Sequence, residues 1–165
     1  MSSIENVKRY LRKYGAAEKV REFAVSSATV ELAAQALAVE PARIAKSLTF
    51  SDKDGGCIMV VAAGDAKINN GKFKRCFGCK PSMLAAGEVL EFTGHAVGGV
   101  CPFALPEKVP VYLDESMKRF ITVFPAAGSA SSAVELTLSQ LEEYSRAKDW
   151  VDVCKGWQDE EEEKA

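Results

Sequence analysis

Histidine is nearly absent from this sequence: His95 stands alone among 165 residues. One histidine excludes an HxxxH metal pair, and neither a Walker phosphate loop nor a GxSxG nucleophile elbow is present. A Ser-His-Asp or Cys-His mechanism would rest wholly on His95, whose plainer role is a hydrogen bond within a loop. No apolar run approaches the roughly 18 residues of a membrane helix. The N-terminal stretch is charged from Glu5 onward and has no apolar signal-peptide core. The expectation is therefore a protein with no membrane contact, in a reducing cytoplasm that keeps Cys57, Cys76, Cys79, Cys101 and Cys154 as free thiols. A strong positive charge is also missing. The net charge of −2 argues against a protein that grips nucleic acid mainly through phosphates, and DNA is not an expected partner. Acids are locally absent too: between Asp65 and Glu88 there are none, while Lys67, Lys72, Lys74, Arg75 and Lys80 fall there.

What is present is ordinary globular material, 47% hydrophobic and 27% charged. At this length one domain is expected, large enough to need no disulfide or metal staple. Its bounds are read as 1–157, with 158–165, dominated by Asp159 to Glu163, as an acidic disordered tail. Ile4, Val7, Tyr10, Leu11 and Tyr14 share one helical face, and Gly15 ends that helix. Residues 20–25 alternate as a strand. Ser26, Ser27 or Thr29 caps a helix to Ala38 with Leu32, Ala33, Ala36 and Leu37 inward. A helical turn follows over 40–45, with Pro41 near its start. Residues 47–50 and 57–63 then read as a hairpin around a five-residue loop, the second strand apolar throughout and so central. A short basic helix is predicted near 71–76, and a second over 83–92 capped by Ser82. Gly94 to Pro102 reads as loop. Strands follow at 109–113, 121–124, 134–138 and 150–153. Asp114 caps a brief helix after the first of these, and Ser139 caps a helix over 140–147. About seven short strands without regular β-α alternation argue for an α+β fold.

Cys76-Phe77-Gly78-Cys79 is a CxxC. Zinc would need further ligands from Cys57, Cys101 or His95, and a redox role would need a reactive thiol at a strand-to-helix junction. Ordinary thiols are the plainer reading, so neither metal nor cofactor is expected. Two other features carry chemistry. Lys46, in Ala45-Lys46-Ser47-Leu48, stands where a helical turn meets a strand. Among apolar neighbours its ammonium is a focused positive charge, although a snorkelling lysine at a strand end fits the same pattern. In Thr93-Gly94-His95-Ala96-Val97-Gly98-Gly99-Val100-Cys101-Pro102, the glycines let backbone N–H groups approach a ligand and Pro102 fixes the exit. Such a loop can serve a developing oxyanion or a phosphate, or be simply a tight turn.

Taken in order, Lys46-Ser47-Leu48, Gly64-Asp65-Ala66-Lys67-Ile68-Asn69, Thr93-Gly94, Gly98-Gly99-Val100-Cys101-Pro102 and Ala127-Gly128-Ser129 resemble the YbaK/ProX family. That family includes the editing domain of bacterial prolyl-tRNA synthetases and its free-standing relatives, and the resemblance spans roughly residues 15–150. It implies a mixed α/β barrel with peripheral helices, and hydrolysis of the ester joining a wrong amino acid to tRNA, commonly tRNA-Pro. Lys46 matches the family's essential lysine. Gly98, Gly99 and Pro102 match its GxxxP segment, whose backbone holds the acceptor end and the reacting carbonyl. By the same resemblance Thr93, Gly128 and Ser129 are expected to bind substrate, the last two near the amino-acid pocket. Relatives specific for Cys-tRNA carry an aspartate where this chain has Ala133. Lys67, Lys72, Lys74 and Arg75 are the expected tRNA contacts, with a synthetase as an assisting partner. Two other readings stay open: a non-catalytic tRNA or protein binding module on the same fold, and a small thiol or metal enzyme using Cys76 and Cys79.

Overall fold

The chain opens with α1 (Ser3–Arg12), where Ser2 and Glu5 form a capping box and Val7 and Leu11 turn inward. Gly15 adopts the left-handed conformation that ends it. This computed structural model describes residues 2–158, so the acidic run from Asp159 lies outside the described residues. Strand β1 (Val20–Glu22) is shorter than the alternating pattern predicts. Beyond it, Phe23 N–H donates to Ser131 O at 2.8 Å and Ser27 N–H to Ala130 O at 2.6 Å, so the segment stays tied without a regular ladder. Thr29 caps α2 (Val30–Leu37), accepting from Leu32 N–H. That register buries Ala33, Ala34 and Leu37 and leaves Leu32 40% exposed, against the expectation that Leu32 points inward.

Pro41 to Arg43 make one tight helical turn, and then the sheet begins with β2 (Ile44–Ser51) and β3 (Cys57–Ala63). They form the predicted hairpin. Asp52 Oδ1 holds its loop by accepting from Asp54 N–H at 2.7 Å and Gly56 N–H at 2.8 Å. All seven residues of β3 are buried, as expected of a central strand. There follow β4 (Lys67–Ile68), α3 (Asn70–Phe77), α4 (Ala86–Thr93), β5 (Val111–Asp114), β6 (Thr122–Pro125), β7 (Ser132–Val134), β8 (Leu136–Thr137), α5 (Leu138–Ser145), β9 (Asp149–Val151) and β10 (Cys154–Lys155).

The main sheet has the order β8-β6-β2-β3-β5-β9, and β1-β7 and β4-β10 are separate pairs. β2 and β3 are antiparallel, whereas β2-β6, β3-β5 and β5-β9 are parallel. The result is a mixed α/β domain with a sheet curled as a half-barrel and five helices among the described residues. Seven strands have three or more residues and three have only two.

Several predicted boundaries move for identifiable reasons. Residues 82–84 are drawn to the edge of β2, where Ser51 N–H donates to Ser82 O and Leu84 N–H to Thr49 O, so α4 starts at Ala86 rather than Met83. The strand predicted over 134–138 breaks at Glu135, because β7 pairs with β1 while β8 pairs with β6. Thr137, not Ser139, caps α5, in a capping box with Gln140.

Candidate active site

The sheet itself makes the cavity. β6 accompanies β2 only as far as the Ala45–Pro125 pair, and the 82–84 segment meets β2 again only at Thr49. Between these points the β2 edge is open and borders a hollow of about 530 Å³. Lys46 to Thr49 form one wall, and the approach to α2 from Ser27 to Val30 forms another. Val97, Gly98 and Val100 close one side, and Ser132 and Ala133 another. An apolar end is made by Ala33, Ile44, Phe124 and Ala133, which form their own buried cluster.

Lys46 is the only charged side chain in this wall among the described residues. Its Nζ donates to Gly64 O at 3.4 Å and to Ala66 O, two neutral carbonyls. Burial lowers its pKa, with Asp65 and Glu31 pulling the other way. Asp65 is itself engaged by Arg119, at 2.6 and 2.9 Å. An ammonium has three N–H donors, so one remains beyond the two carbonyls. The cradle depends on Gly64. A Cβ there would run into the Pro41 carbonyl oxygen and lie 2.7 Å from Val30 Cγ1.

The glycine loop is a turn with a definite division of labour. Gly99 N–H donates to Ala96 O at 3.0 Å, with Gly98 at φ +98° in the position that requires it. The Gly99 amide is thus already committed, whereas the Gly98 peptide lines the cavity. Gly99 serves instead by having no side chain: a Cβ would stand 2.9 Å from both the nitrogen and Cα of Ser129. Gly128 in turn packs on α1, where a Cβ would meet Val7 Cγ2 at 2.8 Å and Ser3 O at 2.9 Å. Helix, 128–129 segment and glycine loop are stacked backbone to backbone.

The remaining sequence-derived residues divide between the cavity and its supports. Ser129 Oγ donates to Ser132 Oγ at 2.8 Å and so steadies the cavity wall from behind. Thr93 is buried, its Oγ1 donating to Val89 O at 2.7 Å and accepting from His95 N–H at 3.1 Å. Thr93 does not line the cavity, and Pro102 borders a separate hollow with Tyr10 and Arg146. His95 is a brace: its Nε2–H donates to Phe103 O at 2.8 Å, and its Nδ1 accepts from Ser3 Oγ. Burial lowers its pKa, which favours the neutral ring. Cys101 lies 3.6 Å from the same Nε2, but burial pushes its thiol up to about 12. No thiolate–imidazolium pair forms there.

Lys67, Lys74 and Arg75 are exposed, while Lys72 pairs with Asp152 at 3.0 Å and with Cys154 O at 3.0 Å. None of the four borders the cavity. Cys76 falls in the last turn of α3, the end of a helix dipole that disfavours a thiolate, and burial raises its pKa further. No group of three His, Cys, Asp or Glu side chains suited to a metal comes together among the described residues. Sequence reasoning passed over Ser27, Thr29 and Ser47. The small polar run Ser26-Ser27-Ala28-Thr29 signals a helix cap, and nothing in it signals a cavity wall.

A lysine cradled by carbonyls and a glycine turn border one cavity that has no carboxylate, thiol or imidazole in its wall among the described residues, and sequence comparison gives the class. The Aminoacyl-tRNA editing domain matches residues 25–144, and the chain belongs to that family. More particularly, it is 52% identical over 156 residues to the uncharacterized protein YwhH of Bacillus subtilis, covering 94% of this chain and 99% of YwhH. It is 27% identical over 134 residues to EbsC of Enterococcus faecalis, a candidate Cys-tRNA(Pro)/Cys-tRNA(Cys) deacylase, covering 79% and 82% of the two chains. The crystal structure of a candidate trans-editing enzyme for prolyl tRNA synthetase superposes with a TM-score of 0.84 at 30% identity, covering 94% of this chain and 99% of that one. Helix α1, which braces the cavity loops, precedes the residues that define the family.

Proposed function

We propose that this chain hydrolyses the ester that joins a wrong amino acid to tRNA, acting in trans. The expected substrate is tRNA-Pro carrying alanine, serine or cysteine. One observation carries the reading: a cavity of about 530 Å³ whose wall, among the described residues, holds one cation and no carboxylate, thiol or imidazole. Such a site suits a substrate that is already activated and needs placement and charge stabilisation more than a nucleophile. Water adds to the ester carbonyl carbon, gives up a proton and leaves a tetrahedral oxyanion. Collapse breaks the bond to the ribose oxygen, which takes up a proton. The remaining N–H of Lys46 and the Gly98 peptide supply the positive end for the oxyanion or the terminal phosphate. Gly99, with its amide committed to Ala96, acts by permitting the close packing that holds Gly98 in place.

Size supplies selectivity. The apolar end formed by Ala33, Ile44, Phe124 and Ala133 suits a short side chain, and one methylene is worth only about 1–3 kcal/mol in synthetase selection. Ala133 offers no acid to a thiol, so the cavity favours small side chains in general over cysteine in particular. Thr93, Pro102, Gly128 and Ser129 act on the substrate indirectly, through the loops they hold. Lys67, Lys74 and Arg75 meet the tRNA backbone, and Lys72 joins them once released from Asp152. A chain of net charge −2 binds tRNA weakly and with strong salt dependence, which a synthetase partner would offset in the cytoplasm. The test is deacylation of Ala-, Ser-, Thr-, Cys- and Pro-charged tRNA-Pro. Hydrolysis of one or two misacylated species and sparing of Pro-tRNA is expected. tRNA binding without turnover on any of them would mark a binding module instead.

A further inference from the structure

Strand β2 has one complete edge and one broken edge. Toward β3 it is paired without interruption from Ala45 to Ser51. On the other side the pairing with β6 stops at Ala45–Pro125. It resumes where Thr49 O accepts from Leu84 N–H at 3.3 Å and Ser51 N–H donates to Ser82 O at 2.8 Å. Within a strand, the N–H and C=O of one residue point to the same side, and successive residues alternate. Thr49 and Ser51 therefore fix the parity: Ser47 is the residue in the gap whose backbone N–H and C=O both face the cavity. Its side-chain hydroxyl is buried and without a partner as well. Backbone polar groups left in a protein interior demand partners. Among the described residues, neither the N–H nor the C=O of Ser47 has a backbone partner across this gap.

The cavity poses a complementary problem. A substrate with a free α-ammonium enters a wall whose one charge, among the described residues, is Lys46, so no carboxylate is there to receive it. The acceptors available are neutral. Building on the deacylase reading above, we propose that Ser47 receives the aminoacyl group as a one-residue strand. The substrate ammonium donates to Ser47 C=O, and the ester carbonyl accepts from Ser47 N–H. These are the two bonds exchanged by a hydrogen-bonded antiparallel pair, the same main-chain recognition by which sheet edges take extended peptides. The pairing places the reacting carbonyl beside the residue that follows Lys46. It also defines the substrate class: esters of small acids that carry a hydrogen-bond donor on the α-carbon, with the amine best.

Alanyl, lactyl and propionyl esters of tRNA-Pro share one carbon skeleton and differ only in the α-substituent, amine, hydroxyl or hydrogen. Each rate is expressed as acceleration over that ester's own uncatalysed hydrolysis, which removes the intrinsic activation by the ammonium. The expected order is alanyl, then lactyl, then propionyl, with about 10- to 100-fold between the ends, the worth of a charge-assisted hydrogen bond. On the protein side, Ser47→Ala removes the hydroxyl, and Ser47→Pro removes in addition an N–H that the β3 ladder does not use, while fixing φ at a strand edge that tolerates proline. Ser47→Pro is expected to lose at least about tenfold more kcat/KM than Ser47→Ala, with thermal unfolding checked for both. Equal acceleration of alanyl and propionyl esters by the wild type would overturn the pairing while leaving the deacylase reading intact. Failure to hydrolyse any of the aminoacyl esters would overturn that reading itself, and the pairing with it.

Discussion

Two lysines separate the parts of this molecule. Lys46 is held by two neutral carbonyls, Gly64 O and Ala66 O, inside a largely apolar cavity wall. Lys72 is held by a carboxylate, Asp152, and a carbonyl on a face where the carboxylate is more than half exposed. Both are fixed in place, yet only one keeps its charge available. A carbonyl cradle orients an ammonium without neutralising it, whereas an ion pair cancels most of the field it would project. The desolvation that lowers the Lys46 pKa is the cost of leaving that field uncancelled. The difference teaches where to look for chemistry in a chain with many lysines: at one that is partly buried in a cavity wall and hydrogen-bonded to neutral carbonyls.

The strongest way to break the comparison is to remove the available charge. Lys46→Ala is expected to lower single-turnover deacylation at least about 100-fold, in the range measured for deleting an oxyanion donor, with little change in the unfolding midpoint. Lys46→Arg keeps the charge but presents a planar fork unsuited to two converging carbonyls, and is expected to recover little of the loss. The cradle can be spoiled instead of the charge. Gly64→Ala drives a methyl into the Pro41 carbonyl and against Val30. It is expected to destabilise the fold by about 1–3 kcal/mol in denaturant unfolding and to reduce activity along with it.

pH sharpens the comparison. A lysine whose pKa is lowered in the folded state loses its proton there before it does in the unfolded chain. Between the folded value and the ordinary 10.5 the unfolded state therefore binds more protons, and the stability contributed by this site rises with pH. Activity that needs the cation falls over the same window. Buried cysteines oppose the stability trend: Cys57, raised to about 11, favours the unfolded state once pH passes the ordinary thiol value of 9.0. The measurement is therefore the wild type minus Lys46→Met in urea unfolding across alkaline pH. The difference is expected to move in favour of the wild type as pH rises, while wild-type deacylation declines. The smallest effect belongs to Lys72→Ala, expected to weaken tRNA binding a few-fold and to reduce its salt slope by about 1.

Much of this arrangement was readable before any coordinates. The five-residue hairpin loop, the wholly apolar β3 and the short basic helix α3 are local, and local patterning decides them. Lys46 stood out because it breaks an apolar pattern at a strand. Leu32 is misread for a local reason: Ser26, Ser27 and Thr29 are all possible caps, and the choice of Thr29 sets the phase of α2. The other illegible parts are those in which distant segments set the outcome. Residues 134–138 read as one strand, yet two different partners divide them at Glu135. The gap opposite Ser47 depends on where β6 departs and where 82–84 arrives, and no property of Ser47 itself records either.

The central claim is that hydrolysis takes place at the Lys46 cavity rather than on the basic face of α3. Its most direct test is single-turnover deacylation of one misacylated tRNA-Pro by wild type, Lys46→Ala and Lys72→Ala, with enzyme in excess. The expected result is a loss of at least about 100-fold for Lys46→Ala, with the Lys72→Ala deficit shrinking as enzyme concentration rises. A Lys46→Ala protein that deacylates at the wild-type rate would contradict the account.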